Sequence, residues 1–314
     1  MGELRKDYVL DRWVIIATER GTRPHQFISE VQNKEKNTKT DYFAPGNEEL
    51  TPTEIYRCPE KSKDWQIRVF PNKFPAVKPV GNYNLQTDND FFTYADSFGY
   101  HEVIVETPDI NETLADLSES NLTQLFKILK KRISVNMNCD GVKYVSVFKN
   151  HGKSAGTSIA HSHCQLIAYN IIPEVVRYKE HKIKKHQSCP YCSIIKTEKD
   201  SLRRCFENPS FSAFTPYASR FPFEIWVLPK RHVLNITEFN DEEFVYLAEV
   251  MKKIFVKLKE LNADYNFYLQ YGIENMHFQI IITPRLSKFA GFEQGTGTII
   301  NTMSPETAAE FYRG

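Results

Sequence analysis

Ala160-His161-Ser162-His163-Cys164-Gln165-Leu166-Ile167 carries the densest reactive chemistry in this chain, and it follows the loop Asn150-His151-Gly152-Lys153-Ser154-Ala155-Gly156-Thr157-Ser158. In an extended strand alternate side chains share a face, so His161, His163 and Gln165 are expected on one side and Ser162, Cys164, Leu166 and Ala168 on the other. An imidazole on a rigid strand suits nucleophilic attack on phosphorus when an amide donor stands beside it and it faces a Gly/Ser loop whose N–H groups can hold phosphate oxygens. An H-x-H pair alone is equally consistent with a metal-binding strand or with two satisfied histidines.

Working outward, the segments on either side repeat a pattern. The first copy runs from a strand at His101–Glu106 through a helix near Ser118–Val135 to strands Tyr144–Phe148 and His161–Ala168. The second runs from Phe223–Leu228 through a helix near Asp241–Leu261 to Tyr265–Gln270 and His277–Thr283. Each reads strand, loop, helix, strand, strand, and such a repeat constrains the fold before any motif does. The helices rest on apolar spacing, Leu122, Leu125, Phe126 and Leu129 in one and Phe244, Leu247, Met251 and Phe255 in the other, with Asn240 and Glu243 forming a capping box. Ser29–Asp41 and Gly81–Asp90 read as loops, and Tyr169–Ser188 as the link between halves. Within that link the basic run Arg177–Lys185 reads as a solvated helix face or as linker. The pattern is α+β with a mainly antiparallel sheet and packed helices, and the boundary between halves is expected at 170, giving 1–170 and 171–314.

The 314 residues suffice for two modules. A formal charge of +1 lacks the basic excess of a dedicated nucleic-acid binder, and 41% hydrophobic residues indicate a globular chain. No apolar run is long enough to span a bilayer. The charged N-terminus lacks a signal core, so a cytoplasmic location is expected. Six cysteines do not form a disulfide framework. Cys189 and Cys192 instead make a C-x-x-C pair, and with His232 and His277 downstream they supply four ligands for one closed zinc site if the fold gathers them; the alternative is a thiol pair and two unrelated surface histidines.

The segment Asn150–Gln165 resembles the active-site signature of the galactose-1-phosphate uridylyltransferase family, within the histidine-triad superfamily. Asp11-Arg12-Trp13-Val14-Ile15-Ile16-Ala17 with Arg20 and Arg23-Pro24 is similar to that family's N-terminal strand and arginine pair, and Phe70-Pro71-Asn72-Lys73-Phe74-Pro75-Ala76 to its nucleoside-binding turn. The resemblance implies two histidine-triad-like halves. It makes His163 the nucleophile, Gln165 a donor to the α-phosphoryl group, Ser158 and Asn150 part of the phosphate-holding loop, and Arg20 and Arg23 a diphosphate clamp. Asn72 is then a nucleoside contact, and Lys288, Phe289 and Glu293 belong to a hexose-binding strand. It strengthens the zinc assignment. Where the family carries a first-half metal site, this chain has Asp41, Ala44, Ile110 and His161, so that site is expected empty and filled by packing around Ile110.

Two departures bear on specificity. Lys73 replaces the acid common in uridylyltransferases, and Gln294-Gly295-Thr296-Gly297-Thr298-Ile299-Ile300-Asn301 resembles the branch containing plant ADP-glucose phosphorylase. The implied activity is exchange of a nucleoside monophosphate between a nucleotide sugar and a sugar 1-phosphate, first as a UDP-glucose:hexose-1-phosphate uridylyltransferase. The alternatives are an ADP-glucose or dinucleoside-polyphosphate phosphorylase using inorganic phosphate, or a non-catalytic nucleotide-binding protein. Members of the family are commonly dimers, which implies a homodimer; neither nucleic acid nor membrane is an expected partner.

Overall fold

Ser118 and Asn240 start the two long helices as their side chains dictate, each accepting a hydrogen bond from a backbone N–H three residues on. The computed structural model describes residues 2–22, 40–272 and 274–314. Its first elements are β1 (Glu3–Lys6), β2 (Trp13–Ile16), β3 (Tyr56–Cys58), β4 (Ile67–Pro71), β5 (Gln86–Thr87), β6 (Thr93–Tyr94) and β7 (Gly99–Val105). Then follow α1 (Glu119–Met137), β8 (Tyr144–His151), β9 (His163–Tyr169), α2 (Glu174–Ile183), α3 (Pro190–Glu198), β10 (Arg204–Glu207), β11 (Phe211–Phe214) and β12 (Ile225–Pro229). The last are α4 (Asp241–Glu260), β13 (Tyr265–Gln270), β14 (Gln279–Pro284), α5 (Gly291–Thr296), β15 (Ile299–Asn301) and α6 (Pro305–Arg313).

The chain divides into two compact units, one of residues 39–149 and 159–174, the other of 1–38, 150–158 and 175–314. The first has strand order β8-β9-β7-β4-β3, with β9 antiparallel to both β7 and β8. In the second the order is β10-β11-β12-β14-β13, with β14 antiparallel to both β12 and β13. Both units therefore place the third and last strand of the repeat between the first and the second, so the repeat read in the sequence is a repeat of topology. Residues 2–22 go with the second unit because β2 pairs in parallel with β15. The fold is α+β, dominated by antiparallel pairing.

Burial follows the patterning. Leu122, Leu125, Phe126 and Leu129 of α1, and Phe244, Leu247, Met251 and Phe255 of α4, are all buried, one apolar stripe per helix. The link between halves differs from expectation. Residues 174–183 form α2, whose Val176, Lys179 and Ile183 are buried, so the basic run is not wholly solvated. The 81–90 segment includes one strand of the small β5–β6 hairpin. No helix among the described residues is long and apolar enough to cross a membrane.

Candidate active site and metal centre

β9 begins at His163, two residues later than the alternation predicts, and this changes the part played by His161. His163 and Gln165 alternate along the strand as expected. His161 lies on the lead-in, with Nδ1 2.8 Å from Asp41 Oδ2 and Nε2 2.7 Å from the Thr107 carbonyl oxygen. Both of its ring nitrogens face oxygen acceptors. Ile110 is 44% exposed, so packing around it does not fill the place of the family's first-half metal; the Asp41–His161–Thr107 bridge ties those segments together instead. Phe43, held two residues from Asp41, presents its ring edge-on to His161 and His163 at centroid distances of 6.0 and 5.4 Å.

The His163 ring is buried, and its Nδ1 stands 2.8 Å from the His161 carbonyl oxygen. A carbonyl accepts only, so Nδ1 carries the proton and Nε2 keeps its lone pair. Burial first, then the nearby Lys149 charge, lowers the His163 pKa below the ordinary histidine value, which favours the neutral ring.

Gln165 is oriented by a residue that the sequence reading left without a role. His101 on β7 accepts a hydrogen bond at Nδ1 from the Ala76 backbone N–H (3.1 Å), so its proton is on Nε2, which donates to Gln165 Oε1 at 2.9 Å. The amide oxygen being engaged, the Gln165 NH₂ group is left to donate elsewhere. Burial lowers the pKa of His101, consistent with a neutral ring. Asn72 belongs to the same cluster: its backbone N–H donates to the His101 carbonyl at 2.7 Å, and its side-chain nitrogen lies 3.3 Å from His101 Nε2.

On the reverse face of β9 a second group was also missed. Lys149 Nζ lies 2.6 Å from Glu106 Oε2, 2.9 Å from Ser162 Oγ and 3.2 Å from the His163 carbonyl oxygen, while Ser162 Oγ and Cys164 Sγ both donate to Glu106. Burial would raise the Glu106 pKa, but Lys149 and the two donors bring it below the ordinary value, and the Cys164 thiol is pushed well up. The signal was present in the sequence as two opposite charges set in otherwise apolar stretches, Val103-Ile104-Val105-Glu106 and Val145 to Lys149.

The remaining predicted contacts lie in the second unit. Asn150 Oδ1 accepts from Asn266 at 2.8 Å, and Ser158 is exposed. The loop turns at Gly152, whose φ of 84° strains any other residue; a Cβ there would also displace the Asp264 carboxylate, whose Oδ1 lies 1.8 Å from its ideal position. Asp264 already accepts from the Ser154 N–H at 2.6 Å, so that donor is not open to phosphate. Arg20 is exposed in a short 3-10 turn, and Arg23 lies outside the described residues. Lys288, Phe289 and Glu293 are not on a strand: 288–290 are irregular, and Glu293 in α5 accepts from the Ala290 N–H at 2.9 Å. A Gly-rich segment without alternation favours a short capped turn of helix over an extended edge. Phe289 stacks on Phe221 at 5.0 Å.

Cys189, Cys192, His232 and His277 converge, each offering a ligand atom, with all four within 4.8 Å of one another. Cys192 Sγ is 3.6 Å from Nδ1 of both His232 and His277, and Cys189 Sγ is 3.9 Å from His277 Nδ1. A tetrahedral ion with bonds of about 2.0–2.3 Å needs ligand atoms roughly 3.5 Å apart. His277 Nε2 donates to the Pro229 carbonyl at 2.8 Å, which directs Nδ1 toward the cluster, and burial lowers its pKa to about 4, so the ring is neutral as a ligand must be. Pro190 at the first turn of α3 holds the two cysteines one turn apart. The donor set fits a metal ion.

A family model for the N-terminal domain of galactose-1-phosphate uridyl transferase matches residues 2–173, more than half of the chain. The chain belongs to the galactose-1-phosphate uridylyltransferase family. A model for a domain of unknown function, DUF4921, matches 132–311. ADP-glucose phosphorylase of Arabidopsis thaliana is 31% identical over 324 residues, covering 99% of this chain and 92% of that protein. A galactose-1-phosphate uridylyltransferase of Thermotoga maritima is 28% identical over 342 residues, covering 100% and 98%. The crystal structure of the Arabidopsis thaliana phosphorylase with bound ADP-glucose matches with a TM-score of 0.84 at 31% identity, covering 100% of this chain and 99% of that one. As a member of this uridylyltransferase family, the chain is a nucleotidyltransferase.

Proposed function

We propose that this nucleotidyltransferase moves a nucleoside monophosphate from a nucleotide sugar to a phosphate-bearing acceptor through a covalent bond to His163. The observation that carries the reading is the His163 ring held at Nδ1 by the His161 carbonyl, with Nε2 left as a lone pair. Nε2 attacks the α-phosphorus, an N–P bond forms, and the P–O bond to the sugar 1-phosphate breaks. The ring then carries a positive charge, and its Nδ1–H bond to a carbonyl strengthens as it forms. A phosphate oxygen of the acceptor next attacks phosphorus, and the N–P bond breaks.

The Gln165 NH₂ group, set by His101, donates to a non-bridging α-phosphoryl oxygen as charge builds there. Arg20 and Arg23 hold the diphosphate, Ser158 and the Asn150 loop its outer oxygens, Asn72 the nucleoside, and Lys288, Phe289 and Glu293 the hexose. The ion at Cys189, Cys192, His232 and His277 is zinc, judged from its two thiolates and two imidazoles, and its role is structural because all four positions are taken by protein. Of the halves 1–170 and 171–314, the first carries the nucleophile and the second the metal and the hexose contacts, and the working form is a homodimer in the cytoplasm.

The leading substrate reading is UDP-glucose with a hexose 1-phosphate acceptor, usually galactose 1-phosphate. A second, ADP-glucose with inorganic phosphate, is favoured by the similarity to the Arabidopsis thaliana phosphorylase over nearly the whole length of both chains. Turnover of each nucleotide sugar with each acceptor separates them. Incubation with nucleotide sugar alone tests the shared step: a mass gain of one nucleoside monophosphate on His163 is expected, and a label on His161, or none, overturns it.

A further inference from the structure

The second unit repeats the strand order of the first, so its β14 stands where β9 stands, and the two faces can be compared position by position. Aligning Met276-His277-Phe278-Gln279-Ile280-Ile281 with Ala160–Gln165 puts His277 at the place of His161, Gln279 at that of His163 and Ile281 at that of Gln165. The nucleophile is gone, but the face is not simply filled with apolar side chains. Trp226 and Tyr268 lie directly opposite Ile281 in the ladder, and Gln270 opposite Gln279. Over this face lies a cavity of about 40 Å³, to which the N-terminal segment brings Asp7 and Arg12, α2 brings Lys179, and the turn before β12 brings Arg220 and Glu224. That is more room than one water requires.

The polar groups around it are unbalanced. Both carboxylates are engaged in shaping the chain: Asp7 Oδ1 accepts from the backbone N–H groups of Val9 and Leu10, and Glu224 accepts from those of Arg220 and Phe221 and from the Trp226 indole N–H. Three cations remain. Arg12 reaches Asp7 only at 3.5 Å, and its Nε is buried with no partner. Lys179, 2% exposed, donates to the amide oxygens of Gln270 and Gln279, and its ammonium lies 5.7 Å from the ring of Tyr191 and 5.6 Å from that of Trp226. Among the described residues no carboxylate lies within ion-pair distance of Lys179 or Arg220; the Arg220 guanidinium instead sits 5.8 Å from the ring of Phe221 and 5.9 Å from that of Phe289. Burial, with repulsion from Arg12 and Arg220 and against the attraction of Asp7 and Glu224, brings Lys179 down to about 7; burial and Arg12 lower Arg220 against the same two carboxylates. Buried cations are ordinarily paired, and here three cations face two carboxylates, with Arg12 Nε left without an acceptor.

We infer that the second unit holds a small tetrahedral oxyanion, of the class of inorganic phosphate or sulfate, between Arg12, Lys179 and Arg220, at the position equivalent to the nucleophile face of the first unit. Two guanidiniums and an ammonium around a space of this size are the natural partners of such an anion. Water alone supplies acceptor lone pairs but no compensating charge. The site is independent of the His163 chemistry, and its anion is bound rather than consumed.

The test is calorimetric titration of the full-length protein with phosphate and with sulfate, against chloride at equal ionic strength. One site per chain is expected for both oxyanions, weakened at least tenfold by Arg220→Gln or Arg12→Gln and changed less than twofold by His163→Ala. Heat indistinguishable from chloride overturns the inference. So does binding weakened by His163→Ala but untouched by both arginine variants, which would assign the phosphate to the acceptor position of the reaction. Should either arginine variant fail to fold, anomalous scattering from wild-type crystals soaked in selenate decides: a peak among Arg12, Lys179 and Arg220 supports the site, and its absence there overturns it.

Discussion

Lys149 Nζ and Glu106 Oε2 lie 2.6 Å apart with both side chains at most 1% exposed, and the same ammonium reaches the His163 carbonyl oxygen at 3.2 Å. A fully buried ion pair adds little net stability over apolar residues of the same volume, but breaking it from one side is costly. Lys149→Met alone should therefore lower stability by about 3–5 kcal/mol, because Glu106 is left charged and unpaired. The double variant Glu106→Gln, Lys149→Met should regain most of that in denaturant unfolding while still losing activity, since the His163 backbone has lost its anchor. Full activity in a stable double variant would reduce the pair to a packing feature.

Removing the His163 ring removes the atom that forms the new bond, so His163→Ala should lose activity by several orders of magnitude. Gln165→Ala should cost on the order of 10²- to 10³-fold in kcat, the scale of one lost oxyanion donor. His101→Phe keeps an aromatic ring but cannot hold the Gln165 oxygen; it should lower kcat by a large part of the Gln165→Ala effect, and combining the two should add little. Multiplicative losses in the double variant would show that His101 acts by some other route.

These expectations also mark how far the sequence could be read. The long helices followed from local information, one apolar stripe each and the Asn240 cap on the second; the repeat was legible as a succession of elements, while the strand order within each sheet was not. Residues 163–169 alternate as read, but His161 left the strand because Asp41, 120 positions away, and Thr107 offered its ring two acceptors. The His101–Gln165 link spans 64 positions and exists only through the antiparallel β7–β9 register. In the basic run a helix was legible only as one of two readings, and its buried face was not, because Lys179, a residue that counts as polar in any periodicity, is one of the three buried side chains of α2. The four metal-ligand candidates were legible because C-x-x-C is local; their meeting required the fold.

The pH profile should report the neutral His163 ring. Its pKa lies below the ordinary 6.5, first from burial and then from the Lys149 charge, so the acid limb of kcat/KM should fall below pH 6.5. Lys149→Met removes a charge that opposes protonation and leaves Glu106, which favours it; the limb should move to higher pH. The same depressed pKa makes the contribution of His163 to stability complete above about 6.5 and lost as pH falls through its folded value, because the unfolded chain then binds the proton more readily. A limb unmoved by Lys149→Met would mean that the buried charge is not felt at the ring.

Metal analysis of the purified protein should give about one zinc per chain, because the second unit gathers two thiolates and two imidazoles while His161 and Asp41 bond to each other. A structural zinc contributes on the order of 10 kcal/mol to folding, so Cys189→Ser or His277→Ala should lower the melting temperature before any effect on chemistry is seen. His232, the exposed ligand candidate, should be the most tolerant of the four positions. Mild chelation should melt the fold and abolish activity over the same range of chelator concentration, followed in parallel by circular dichroism and turnover. Two metals per chain would mean that Asp41 and His161 recruit further ligands. Loss of turnover with the circular dichroism unchanged would instead place a catalytic ion near His161 and His163 and overturn the assignment of a structural metal.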